Sequence, residues 1–381
     1  MNPSFKAAVV GPSRVGKTTL LTAILAETER LLAGSPVAIT PDEKTANRVR
    51  ANRRQLRGAL EAGEFNAAAL KGTQEKSEYT LMLQSAGDDT IDIPFSILDF
   101  PGGWLDPAVR ESSSRAATDW ARCEAHIRES VMLLVPIDSA VLMEAVTPPQ
   151  RRAVPDLLAF EDVEAVARKW AMTRNMEEYR DEPAVLVLAP IKCEKYFGDN
   201  GGHGRDADRL KQKVREKYGT LLEIVAAEAQ DRDVRVLYAP IDTYGCVELM
   251  EAHWPANPVL DHLDFEAHYR FRGNPPRIAV KAAATIMQEL CRCVMSGWDT
   301  VQKQEIDEYQ GAYQQLLARK VEAKGFRRAL TFYLGGEARR NRLARAANQA
   351  QIAAGERRRL QLQEAVEKLA TTPYDRRVEE W

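Results

Sequence analysis

The sequence predicts an α/β fold built on a mostly parallel sheet flanked by helices. Three observations carry this expectation. Short apolar runs, Val131 to Ile137, Ala184 to Ala189 and Val234 to Ala239, alternate with longer stretches of helical periodicity. Within those runs consecutive residues are apolar, as in strands covered on both faces. Polar motifs follow several of the runs, at the strand ends where open α/β sheets gather their ligands. The chain has 381 residues, 45% hydrophobic and 28% charged, with a formal net charge of −2. That composition is ordinary for a globular protein and does not make the whole molecule a nucleic-acid binder.

Taken in order, Phe5 to Val10 is a first buried strand. Thr19 to Leu32 follows as a helix, with Leu20, Leu21, Ile24, Leu25, Leu31 and Leu32 at helical spacing. Between them stands Gly11-Pro12-Ser13-Arg14-Val15-Gly16-Lys17-Thr18, which reads G-x-x-x-x-G-K-T. Strand, glycine loop and helix together make a phosphate-binding loop. Gly11 and Gly16 let the backbone wrap an anion, and amides from Gly11 through Thr19 point at it. Lys17 is expected to reach the β- and γ-phosphates, and the Thr18 hydroxyl to ligate Mg²⁺.

After a break at Ala33 to Pro36, Pro41 to Glu61 reads as a polar, arginine-rich helix, an insertion over about 41–62. Glu78 to Gln84 and Ile91 to Leu98 form an antiparallel hairpin around a turn at Ala86 to Asp89. Asp99-Phe100-Pro101-Gly102 ends its second strand as D-x-x-G. Asp99 can hold the water shell of a magnesium ion, and Gly102 can offer its amide to a γ-phosphate. Pro107 to Ser130, Phe160 to Arg180 and Asp206 to Glu228 are helical, with Asp138 a strand-end cap and Glu161 at a helix start. About 250–276 reads as an irregular excursion and Arg277 to Trp298 as the closing helix of a domain spanning 1–299.

Residues 300–381 form a helical, basic C-terminal region. From Arg319 to Arg359 there are twelve Lys/Arg and three Asp/Glu. Phe326 to Leu334 mixes apolar and cationic residues. Contact with a membrane surface or nucleic acid is open to such a segment, but packing on a partner is favoured. The five cysteines are irregularly spaced and read as buried thiols. With no leader-like start and no apolar run of membrane-spanning length, a cytoplasmic protein is expected.

The strand order, the phosphate loop and D-x-x-G resemble the Ras-like GTPases of the translation-factor class, over roughly residues 5 to 300. The resemblance implies a Ras-like sheet, GTP and GDP as ligands and Mg²⁺ as cofactor. It puts Ile191-Lys192-Cys193-Glu194 in place of the Asn/Thr-Lys-x-Asp motif: Lys192 packs on the base and Glu194 pairs with guanine N1 and N2. Ile191 departs from that pattern, and Glu194 is one methylene longer than the family's Asp. The fifth motif falls on Ala239-Pro240-Ile241-Asp242, with Ala239 on the base side. The switch threonine, expected to meet Mg²⁺ and the γ-phosphate, is assigned to Thr73, with Thr40 as competitor.

Small members of the class carry Gln after D-x-x-G; here Gly103 and Trp104 stand there, which implies slow intrinsic hydrolysis. Arg14 occupies the phosphate-loop position where guanylate-binding proteins and atlastins place an internal arginine finger. The expected activity is therefore a GTP-hydrolysing switch, with Lys17, Arg14, Thr73 and Gly102 in the catalytic roles, acting on a protein partner or through a homodimer. A nucleotide-holding scaffold without turnover and a P-loop ATPase are the alternatives.

Overall fold

The computed structural model describes residues 4–62, 77–85, 92–112, 114–179, 181–200, 206–230, 232–257, 263–309, 325–326, 329–330 and 349–381. Ten strands are present in these residues: β1 (Phe5–Val9), β2 (Val37–Pro41), β3 (Ser77–Ser85), β4 (Asp92–Asp99), β5 (Met132–Asp138), β6 (Val185–Ile191), β7 (Arg235–Tyr238), β8 (Val247–His253), β9 (Glu266–Phe271) and β10 (Glu379–Glu380). The helices are α1 (Lys17–Leu32), α2 (Glu43–Ala62), α3 (Pro107–Glu111), α4 (Ser114–Glu129), α5 (Ser139–Glu144), α6 (Pro148–Leu157), α7 (Phe160–Arg174), α8 (Ala207–Lys217), α9 (Gly219–Ala229), α10 (Thr285–Tyr309) and α11 (Gln349–Thr371).

Eight strands make one sheet in the order β10-β7-β6-β5-β1-β4-β3-β2. Its centre, β7-β6-β5-β1-β4, is parallel; β3 and β10 run antiparallel to it, and β2 pairs antiparallel with β3 at the edge. The uninterrupted apolar runs have the expected cause. On β1, Phe5, Ala7 and Val9 enter one core while Ala8 and Val10 enter the other. On β5, Met132 and Leu134 face the first core, and Leu133, Val135 and Ile137 the second. Residues of α1, α10 and α11 cover the first face, and residues of α4, α7, α8 and α9 the second. Among the described residues no helix is long and apolar enough to cross a membrane.

The structure departs from the sequence reading in several places, among them the closing helix, which starts at Thr285 rather than Arg277 and runs to Tyr309. β2 lies between the break at Ala33 to Pro36 and the polar helix, where no strand was expected; its Val37 and Ile39 point inward between Pro36 and Pro41, and prolines at the ends of an edge strand do not disturb its ladder. The excursion contains the β8-β9 hairpin, whose mostly exposed and half-buried residues hid the alternation. The helix expected from Asp206 to Glu228 divides at Tyr218. The C-terminal region returns to the sheet rather than standing apart: Leu362, Val366 and Leu369 of α11 join the first core, and β10 adds an edge strand to β7. Phe326 and Leu330, from the mixed apolar and cationic segment, are buried there too, with the Phe326 ring 5.1 Å from that of Phe5. All five cysteines are buried thiols outside any disulfide.

Candidate functional site

The loop from Gly11 to Thr18 joins β1 to α1 at the C-terminal end of the parallel strands. Two of its residues take left-handed backbone, Arg14 at φ 61° and Gly16 at φ 112°. Gly16 is suited to this conformation; Arg14 adopts it at a cost on the order of 1–2 kcal/mol. A side chain on Gly16 would also approach Ile191 Cδ1 at 3.1 Å, so Ile191 lies directly under the loop. Val15 anchors the loop in the core, while Ser13 and Arg14 are exposed.

Lys17 is buried, and its Nζ donates to the carbonyls of Gly11 and Pro12, each at 2.9 Å. Burial lowers its pKa to about 8, against the opposing pull of the Asp99 charge. Thr18 Oγ1 donates to Asp99 Oδ2 at 3.3 Å, so the two oxygen donors assigned to a magnesium ion are neighbours despite 81 residues between them. Asp99 is fully buried at the end of β4. A hydroxyl and a carboxylate are hard oxygen donors, and this pair fits a hydrated Mg²⁺. Sequence reasoning missed Tyr79 on β3. Its hydroxyl hydrogen-bonds Thr18, and burial followed by the Asp99 charge pushes its pKa up to about 12. Its strand position carried no signal beyond alternation.

The D-x-x-G segment touches the phosphate loop directly. A Cβ built on Gly102 would lie 2.1 Å from Ser13 N and 2.2 Å from Pro12 C. Gly102 to Leu105 form a short 3₁₀ turn, with Gly103 and Trp104 half-buried.

On the other side, Lys192 follows β6 with φ 55°. Its Nζ donates to Arg14 O at 3.3 Å and pairs with Asp138, which also caps α5. Glu194 is buried, and its Oε1 accepts from Gly245 N at 3.4 Å. Burial and the neighbouring Asp242 charge push its carboxyl well above the usual range, against the amides of Glu194, Gly245 and Tyr244. Ala239 does not supply a free amide as the fifth motif requires. Its N–H donates to Leu188 O at 2.9 Å, continuing the β6-β7 ladder. Ile241 and Asp242 likewise spend theirs on Pro190 and Lys281. The part of this loop that reaches the site is Tyr244-Gly245, and Tyr244 OH lies 3.5 Å from Thr19 Oγ1.

Thr73 lies outside the described residues. Its competitor Thr40 sits on β2, with Oγ1 directed at Met82 O and the Gln84 side chain. The inserted helix α2 is docked rather than solvated all round. Thr45, Val49, Asn52 and Leu56 form its buried stripe, and Asn52 Nδ2 donates to Thr22 Oγ1 at 3.0 Å on the first turns of α1. Its arginines divide: Arg48 lies over the Tyr79 ring and Arg53 pairs with Glu29, while Arg50 and Arg54 are exposed.

The structure thus brings together Lys17, Thr18, Asp99 and Gly102 on one side of the loop and Lys192 and Glu194 on the other. No family model matches the chain, and no curated protein matches it.

Proposed function

We propose that the chain is a Mg²⁺-dependent GTP-binding and GTP-hydrolysing switch with a Ras-like sheet. Support for the fold comes from the order β3-β4-β1-β5-β6-β7 with an antiparallel first strand, to which β2 and β10 are additions. The single observation that carries the function is the contact of Lys192 Nζ with Arg14 O. It sets the segment assigned to the base against the loop assigned to the phosphates, so one nucleotide can span both.

In this reading Lys17 holds phosphate oxygens by charge-assisted hydrogen bonds, and the loop amides share that load. Thr18 and Asp99 hold the magnesium shell, and Thr73 is retained as the proposed switch threonine. Bound Mg²⁺ supplies charge neutralisation at the transferred phosphoryl group. Gly102 offers its amide where charge develops, and catalysis is positioning and electrostatics. Lys192 covers the base and Glu194 accepts from its edge, while Tyr244-Gly245 replaces Ala239 in closing the base side. Partners are read through the loops around Gly102 and the C-terminal helices.

A competition assay against a fluorescent GDP analogue tests the base reading. GDP should displace it at least about tenfold more tightly than ADP; ADP equal to or better than GDP would make the chain an ATP-binding protein. Arg14→Gly tests the catalytic cation, because Gly accepts the left-handed backbone while the side chain with its guanidinium is lost. At high protein concentration GTP turnover should fall by about 10³-fold or more. GDP affinity should stay within about threefold. Unchanged turnover removes Arg14 from the mechanism. No turnover in the unaltered protein with saturating GTP makes it a nucleotide-holding scaffold.

A further inference from the structure

The two loops assigned to the base are joined by a residue from neither of them. The side chain of Arg377 is 3% exposed, and the residue comes from the segment between α11 and β10. Its Nε donates to Asp199 Oδ2 at 3.1 Å and its Nη2 to Asp199 Oδ1, a bidentate pair. Its Nη1 lies 2.7 Å from Asp242 Oδ2, and its guanidinium carbon 4.1 Å from the centre of the Phe197 ring. Asp199 lies five residues beyond Glu194. Asp242 is fully buried, accepts from Cys193 Sγ, and opens the turn whose Gly245 amide reaches Glu194. One cation thus ties both loops, fixing their spacing through a planar fork that a lysine cannot reproduce.

The segment bearing Arg377 is itself fastened along the sheet edge. Glu379 and Glu380 pair with Tyr238 and Leu237, and Trp381 N donates to Val236 O at 2.9 Å. The Trp381 and Tyr238 rings stack at 5.0 Å and 6°. Arg235 donates to both oxygens of Glu380 at 3.0 Å. Upstream, Arg292 of α10 holds Ala370 O and Thr372 O, and Tyr374 donates to Glu289. The strap therefore follows directly on α11 and is held to α10 at its start. Arg377 thereby sets a positive charge against the buried carboxylate of Asp242, whose own charge acts on Glu194.

We propose that Arg377 is a positioning residue for the base site, and that the strap 374–381 is a clasp whose release from the loops speeds nucleotide dissociation. This rests on the nucleotide reading above and adds to it the route by which a partner on the C-terminal helices controls release.

The test uses the full chain loaded with a fluorescent GDP analogue, with dissociation followed after excess unlabelled GDP. Arg377→Ala should speed dissociation by about tenfold or more. It should lower the preference for GDP over ADP while leaving single-turnover hydrolysis at saturating GTP within about threefold, since the phosphate loop is untouched. Arg377→Lys, which keeps charge but loses the fork, should fall between. Glu380→Ala, which loosens the strap without touching either loop, should move dissociation in the same direction by a smaller factor. If Arg377→Ala does not fold, Arg377→Lys and Glu380→Ala carry the test by the same two readouts. Dissociation and base preference within about twofold of the unaltered protein in the folded variants overturn the clasp alone. Failure of the unaltered protein to bind any guanine nucleotide overturns the underlying reading, and the clasp with it.

Discussion

Lys17→Ala should weaken nucleotide binding by orders of magnitude while making the nucleotide-free protein more stable. The two effects have one cause. The ammonium is buried, its pKa is lowered to about 8 by that burial, and its hydrogen bonds go to two carbonyls of its own loop. Keeping a charge there costs stability below pH 8, up to about 3 kcal/mol by the size of the shift. Removing the side chain removes that cost. The same charge is what a phosphate needs: two charge-assisted hydrogen bonds at about 1.5–3 kcal/mol each put the loss of affinity on the order of 10²–10⁴-fold. Titration calorimetry and thermal unfolding on the same variant check both halves. A structural lysine would give the opposite pattern, lower stability with intact binding.

The Lys17 shift also fixes a pH dependence. The free protein begins to lose the Lys17 proton as pH rises through about 8, whereas an anion bound on the ammonium favours the charged form. Binding then takes up a proton above that pH, so nucleotide affinity should weaken as pH rises, by at most about tenfold per unit. In the unfolded chain the lysine titrates near 10.5, so stability of the nucleotide-free protein should rise between pH 8 and 10.5 through this group. Lys17→Ala should remove both slopes.

Much of the phosphate side of the site is legible in the sequence because it is local. Eight consecutive residues carry the loop, and strand and helix periodicity on either side supply its context. Asp99 and Gly102 were legible for a related reason: a strand end is a recognisable place, and the spacing D-x-x-G lies within one turn. The base side was legible only in part. Lys192 is positioned by the end of β6, which an apolar run announces. Ala239 was assigned from its place after β7, but pattern cannot tell whether an amide at a strand end is still in the ladder, and this one is. Tyr244 and Gly245 reach Glu194 because the chain makes several more ladder and bridge contacts before turning. Tyr79 and Arg377 meet the site from 61 and 185 residues away from Thr18 and Lys192 in the chain, through pairings no local window contains. β8 and β9 were hidden because half-exposed strands lack a clean alternation.

Gly102→Ala should uncouple triphosphate from diphosphate recognition. The added methyl would meet backbone on every near side, at 2.1 Å from Ser13 N, 2.2 Å from Pro12 C and 2.6 Å from Pro12 O, and no flexible side chain is there to yield. The turn carrying residue 102 has to lift off the phosphate loop, at a cost on the order of 1–3 kcal/mol to the nucleotide-free protein. On the proposed reading the γ-phosphate lies between Gly102 and this loop. A triphosphate therefore displaces the seated turn, whereas a diphosphate does not. In the variant that displacement is already made, so the ratio of GTP to GDP affinity should rise, by as much as about 5–150-fold for 1–3 kcal/mol. Hydrolysis should fall by about 10²-fold or more, because the residue 102 amide can no longer close on the developing charge. Equilibrium titrations with GDP and a non-hydrolysable GTP analogue, together with single-turnover hydrolysis, separate the two effects. A variant that binds both nucleotides as before and hydrolyses GTP at the original rate would show that the contact of Gly102 with Pro12 and Ser13 is packing alone, and the switch would have to be sought elsewhere on the loop.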